Sequence, residues 1–98
     1  ANPVQYLLGA LGGCLSVTAN DIARRDDNLE LKKFEVKTTG ETTSYQDGSS
    51  AVTKIQVTIH CETNLDETHQ RYFLNQFQQE CTVHKTLAGA VPIEIKFD

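Results

Sequence analysis

Val4, Leu7, Leu8, Leu11, Cys14, Leu15, Thr18 and Ile22 follow one another at steps that keep returning to three and four residues. That spacing draws a single face of a helix. Asn2-Pro3 ahead of it has the form of an N-cap followed by the first helical residue, where proline's missing N–H does no harm. Tyr6, Ala10 and Val17 carry apolar surface onto a second face, so the helix is expected to be buried on most sides. Gly9, Gly12 and Gly13 would each cost up to ~1 kcal/mol relative to alanine in a helix interior. What they would permit is close approach of another backbone, or of a substrate, beside Cys14. The helix is expected to fray near Arg24-Arg25, with Asp26-Asp27-Asn28 as a turn.

From Leu29 to about Thr43 the pattern alternates, but its parity changes. Leu29, Leu31, Lys33 and Glu35 fall on one parity, and Phe34, Val36 and Thr38 on the other. A switch around Lys32-Lys33 predicts a bulge or a strand start there. Asp47-Gly48 marks the turn within Tyr45 to Ser50. Ile55, Val57, Ile59 and Cys61 then alternate with Gln56, Thr58 and His60, a half-buried strand. The two runs make a long antiparallel hairpin. Leu65-Asp66 opens a second helix with Asp66 as its cap, and Phe73, Phe77 and Cys81 share its inner face. A short helical turn follows Cys81 and stops at Gly89. Val91 to Phe97 is a last strand, which Pro92 confines to a sheet edge or a strand start. The predicted fold is α+β in the order α-β-β-α-β, a single domain without repeat or linker.

Composition narrows the function. The chain has 98 residues and a net charge of −4, with no clustered positive charge, so neither nucleic acid nor an anionic membrane surface is an expected partner. Residues 1–20 carry no charge. They include two Asn, a Gln, Ser, Thr and three Gly, a profile of protein core rather than of a membrane span. No Lys or Arg precedes Arg24, so a signal peptide is not expected either. Three cysteines without short paired spacing do not make a secreted disulfide framework. They fit a reducing compartment, the cytoplasm.

The cysteines are the candidate chemistry. Cys14 lies about three turns inside the first helix, beyond reach of its dipole, and its helical neighbours Ala10, Leu11, Val17 and Thr18 are uncharged. Any activator must come from elsewhere in the fold or from a partner chain. Cys81 stands where one helix ends and a helical turn begins. As the cap of that turn its thiolate would be favoured by free N–H groups, with His84 one turn on; a small core residue with an exposed His84 is the plainer alternative. Cys61 is expected to be an inert core residue. Cys14, Cys61, Cys81, His60 and His84 could each bind zinc, but only Cys81 and His84 are closely spaced, so no metal or other cofactor is expected.

The string Asn2-Pro3-Val4-Gln5-Tyr6-Leu7-Leu8-Gly9-Ala10-Leu11-Gly12-Gly13-Cys14, followed by Leu65-Asp66-Glu67 and by Cys81-Thr82-Val83-His84-Lys85-Thr86-Leu87, resembles the osmotically inducible protein C / organic hydroperoxide resistance (OsmC/Ohr) family over essentially the whole chain. The resemblance implies an intertwined homodimer with active sites at the subunit interface and a role in the oxidative stress response. It implies a thiol-dependent peroxidase in which Cys14 attacks a small organic hydroperoxide, Cys81 resolves the sulfenic acid to a disulfide, and an external dithiol restores both. Residues 1–98 then correspond to the C-terminal two-thirds of the family's usual domain. Family members carry further strands ahead of this helix, with an arginine that activates the first cysteine; this sequence starts after that segment. It also places Val4 where well-characterised peroxidases have a glutamate, so slow turnover is expected. The alternative function is a non-catalytic dimer of the same fold that binds a small apolar ligand.

Overall fold

The computed structural model describes residues 2–98. Six elements follow in the order α1 (Pro3–Arg25), β1 (Leu31–Ser44), β2 (Ser50–Thr63), α2 (Glu67–Glu80), α3 (Thr82–Ala88) and β3 (Ile93–Phe97). The order is that expected from sequence, with the turn after Cys81 standing as a helix of its own. The three helices lie on one face of a three-stranded sheet of order β1-β2-β3. Strands β1 and β2 are antiparallel, and β2 and β3 are parallel. A parallel pair needs a crossover connection, and α2 with α3 supplies it.

Helix α1 starts on a capping box. The Gln5 backbone N–H donates to Asn2 Oδ1 at 2.9 Å and the Asn2 N–H donates to Gln5 Oε1 at 3.0 Å, satisfying donors the first turn would leave free. Its buried line is Leu11, Leu15, Ala19 and Ile22, and Arg24 and Arg25 complement the negative end of the dipole. The helix lies closely on β1 at Gly12, where an added Cβ would stand 3.4 Å from Thr38 Cγ2. One turn earlier, the Thr38 hydroxyl donates to the Leu8 carbonyl at 3.1 Å.

The parity switch is a bulge. Leu31 pairs with Thr63 but Lys33 with Glu62, so Lys32 is the extra residue and Leu31 and Phe34 can both turn inward. Beyond it, Phe34, Val36 and Thr38 sit opposite Cys61, Ile59 and Val57 on the helix-facing side. Gly48, at φ +90°, makes the turn that joins the strands. Strand β3 occupies an edge just after Pro92.

Ile55, Val57, Ile59, Phe73, Phe77 and Cys81 meet α1 in one core. Phe77 is its centre, edge-on to Phe34 and to Phe73 with both ring centroids 5.3 Å away. The far face of the sheet is polar, carrying the Lys54–Glu94 pair and His60 between Glu62 and Asp98. The second apolar face of α1 is not covered in this chain: Tyr6 is 69% and Val17 60% exposed, and nothing lies within 4 Å of a Cβ built at Gly9 or Gly13. Among the described residues no helix is long and apolar enough to cross a membrane.

Candidate active site

Two elements far apart in sequence bring Cys14 and Cys81 together. Cys14 projects from the middle of α1, half-buried at the margin of the core. Cys81 is fully buried and belongs to two helices at once. Its backbone N–H donates to the Phe77 carbonyl at the end of α2, and its sulfur accepts the His84 N–H at 3.5 Å at the start of α3. A helix that stops and restarts at one residue leaves its new first turn with unpaired N–H groups, and here those groups meet sulfur. The His84 N–H bonds the Cys81 sulfur, those of Val83 and Thr82 favour the thiolate of Cys14, and that of Val83 also favours the thiolate of Cys81.

The two thiols respond in opposite directions. Burial by itself pushes Cys14 up. Against it act the Val83 N–H, the Cys81 thiol, the Thr18 hydroxyl and the Thr82 N–H, which stabilise the thiolate and bring Cys14 below the ordinary thiol value of 9.0. Cys81 is pushed up to about 11, by burial first and then by donating its hydrogen bond to Cys14. Cys81 thus caps α3 as the sequence suggests, but the capped turn favours the thiolate of Cys14 rather than that of Cys81. Burial outweighs the N–H groups of His84 and Val83.

Two of the groups that lower Cys14, the Val83 and Thr82 N–H groups, belong to α3. Thr18, on α1 itself one turn beyond Cys14, shifts it in the same direction. Sequence reasoning named Thr18 only as a position on the apolar face, although its i+4 spacing from a thiol is a usable signal.

Cys61 does not join the pair. It stands on the same face of β2 as Ile55, Val57 and Ile59, beside the core, and burial pushes its thiol up to about 11. His84 is half-buried, and its Nδ1 is enclosed without a hydrogen-bond partner. His60 faces the opposite side of the sheet, between Glu62 at 2.7 Å and Asp98 at 3.1 Å. Among the described residues no three His, Cys, Asp or Glu side chains gather as a metal site. Val4 is half-buried near the start of α1 and offers no polar atom.

An open groove of about 530 Å³ lies next to the pair in sequence, lined by Thr18, Thr82, Asp21, Arg24, Arg25 and Glu80 but by no cysteine. Its charges are paired, Arg24 with Asp21 and Arg25 with Glu80. A separate cleft of about 420 Å³ between the end of α1 and α2, floored by Ile22, Leu29, Leu65 and Phe73, contains no cysteine.

The sequence matches the family described as OsmC-like protein over residues 1–96. No curated protein matches the chain. Among solved structures it is similar to an OsmC like protein from Mycoplasma pneumoniae, at 24% identity and a TM-score of 0.86, over 99% of this chain and 70% of that one. It is similar to the organic hydroperoxide resistance protein OhrB of Bacillus subtilis at 17% identity and a TM-score of 0.78, over 100% and 70%. An organic hydroperoxide resistance protein OsmC from Legionella pneumophila gives 11% identity and a TM-score of 0.81, over 100% and 69%. At these identities the likeness is one of fold.

Proposed function

Because the chain belongs to the OsmC-like protein family, we propose that it is a thiol-dependent peroxidase that reduces organic hydroperoxides through Cys14 and Cys81. The observation that carries this reading is the opposite bias of two adjoining thiols, one favoured as thiolate and one held protonated beside it. The Cys14 thiolate attacks the peroxide oxygen, the O–O bond breaks, and the alkoxide leaves and takes up a proton as the alcohol. Cys14 is then a sulfenic acid. Cys81 condenses with it, a disulfide forms and water departs. An external dithiol reduces that disulfide and returns both thiols.

The downward shift of Cys14 serves the first step, since the thiolate is the nucleophile. The high value of Cys81 serves order: a resolving thiol that stays protonated does not compete for peroxide. Val4 in place of a carboxylate fits slow turnover. The same reading takes residues 1–98 as one domain, the C-terminal two-thirds of the family's usual one, working in the reducing cytoplasm. It also takes the uncovered face of α1, with Tyr6 and Val17, as the inside of a homodimer.

The test is peptide mapping of the intact protein after one equivalent of an alkyl hydroperoxide. A Cys14–Cys81 disulfide that dithiol reverses, with alcohol released in equal amount, is expected. Unmodified Cys14 in folded protein would reject the peroxidase and leave a non-catalytic ligand binder.

A further inference from the structure

The cleft of about 420 Å³ between the end of α1 and α2 is lined by no cysteine, and the two turns beside it hold each other. In the turn from α1 to β1 the Asn28 N–H donates to Asp26 Oδ1 at 2.9 Å. Asn64, in the turn from β2 to α2, bridges across: its Nδ2 donates to the Asn28 carbonyl at 3.0 Å and its Oδ1 accepts the Glu30 N–H at 2.7 Å. Asp66 caps α2 by accepting the His69 N–H and also holds His69 Nδ1, both at 2.8 Å. The walls are thus in place before any ligand arrives, and the volume falls inside the range of about 300–1,000 Å³ that small-molecule pockets occupy. Ile22, Leu29, Leu65 and Phe73 form the floor, and the Tyr72 ring, 70% exposed, adds an outer wall. Water over such a floor has few partners, so an apolar group that displaces it gains affinity.

The charge around this floor is one-sided. Asp26 and Asp66 line the cleft, and no Lys or Arg does. Arg24 and Arg25, close by in sequence, are paired with Asp21 and Glu80 in the other groove. His69, the one lining group able to carry a positive charge, is held by Asp66. Asp26 forms no ion pair among the described residues. We propose that the cleft binds a small organic cation with an apolar body, an arylalkyl ammonium, its ring over Leu65, Phe73 and Tyr72 and its ammonium toward Asp26 and Asp66. A neutral molecule of the same shape would gain the floor but not the carboxylates, and an anion would be repelled by them. Such binding is independent of the thiol chemistry, which uses other residues.

The experiment titrates the isotope-labelled native chain with phenethylammonium, phenethyl alcohol and phenylacetate, three probes that share a ring and differ in charge. Amide chemical shifts are followed at low ionic strength, where surface charge is least screened. The ammonium should move the signals of Leu29, Leu65, Asp66, Tyr72 and Phe73, the alcohol should bind about fivefold more weakly, and phenylacetate more weakly still. The double variant Asp26→Asn with Asp66→Asn keeps the turn and the helix cap, since Asn serves in both. With folding checked by circular dichroism, it should bind ammonium and alcohol alike. Absence of shifts at the cleft, equal binding of ammonium and alcohol by the native chain, or an ammonium preference that survives in the double variant would overturn the proposal. The three-probe comparison needs no variant, and it needs no peroxide, so a protein that consumed no hydroperoxide would still report on the cleft.

Discussion

Cys14 and Cys81 stand side by side and shift each other, yet one thiol lies below its ordinary value and the other is pushed up to about 11. A proton shared between two like groups settles on the one that is buried more deeply, because burial penalises the charged form. Cys81 is wholly enclosed by the core, whereas Cys14 is only half-buried. The division of labour between attacking and resolving thiol thus follows from depth.

The first expectation is a difference in the two substitutions. Cys14→Ser should abolish reaction with peroxide, since a hydroxyl is hardly ionised. Cys81→Ser should react once and then stall or overoxidise at Cys14, having no thiol to resolve the sulfenic acid. Intact mass after graded peroxide distinguishes them, and equal behaviour of the two would reject the assigned roles.

Cys61→Ala should leave turnover largely intact, because Cys61 stands on β2 and its shift comes from burial and Glu62, not from the pair. Cys61→Ser should be the more destabilising, as it places a hydroxyl against the core. Loss of turnover in folded Cys61→Ala protein would mean that the redox pair is misassigned.

Stability should fall as pH rises through the alkaline range. Cys61 and Cys81 have folded values of about 11 against an ordinary 9.0, so between those pH values the unfolded chain loses protons that the folded chain retains. The unfolded state then binds fewer protons, and stability decreases with pH. Cys14, shifted the other way, opposes this weakly. Urea midpoints at pH 8 and pH 10.5 measure the loss, and Cys61→Ala should make it shallower; an equally steep loss in that variant would contradict the assignment.

Phe77→Ala should cost about 3–5 kcal/mol, since Phe77 is fully buried and touches two other rings. Its side chain also shares the core with Cys81, so the variant should loosen the α2–α3 junction. Thermal unfolding measures the first effect and faster alkylation of Cys81 the second.

The uncovered face of α1 gives a test of assembly. Gly13 has open space around it in this chain, so Gly13→Leu should leave a monomer at least as stable, through higher helix propensity. In a homodimer packed on this face the same substitution should weaken association. Sedimentation of both proteins at micromolar concentration decides it, and a native chain that is only monomer would count against the dimer.

Local signals in the sequence determined a large share of this molecule. Asn2-Pro3 and Asp66 could start helices only where they do, because their caps bond within three residues. The alternation from Ile55 to Cys61 and the parity switch at Lys32 placed the hairpin and its bulge, since side chains on a strand reverse face with each residue. The cysteine pair was legible through its surrounding strings. Tertiary structure alone decided what the pair can do. Cys14 has no activator among its neighbours on α1 except Thr18, and the N–H groups of Thr82 and Val83 reach it only because α3 restarts at Cys81 and points its first turn at α1. The direction of each shift depended on depth, and depth is a property of packing: the capping position of Cys81 favoured its thiolate, but the core around Phe77 closed over it, and burial prevailed.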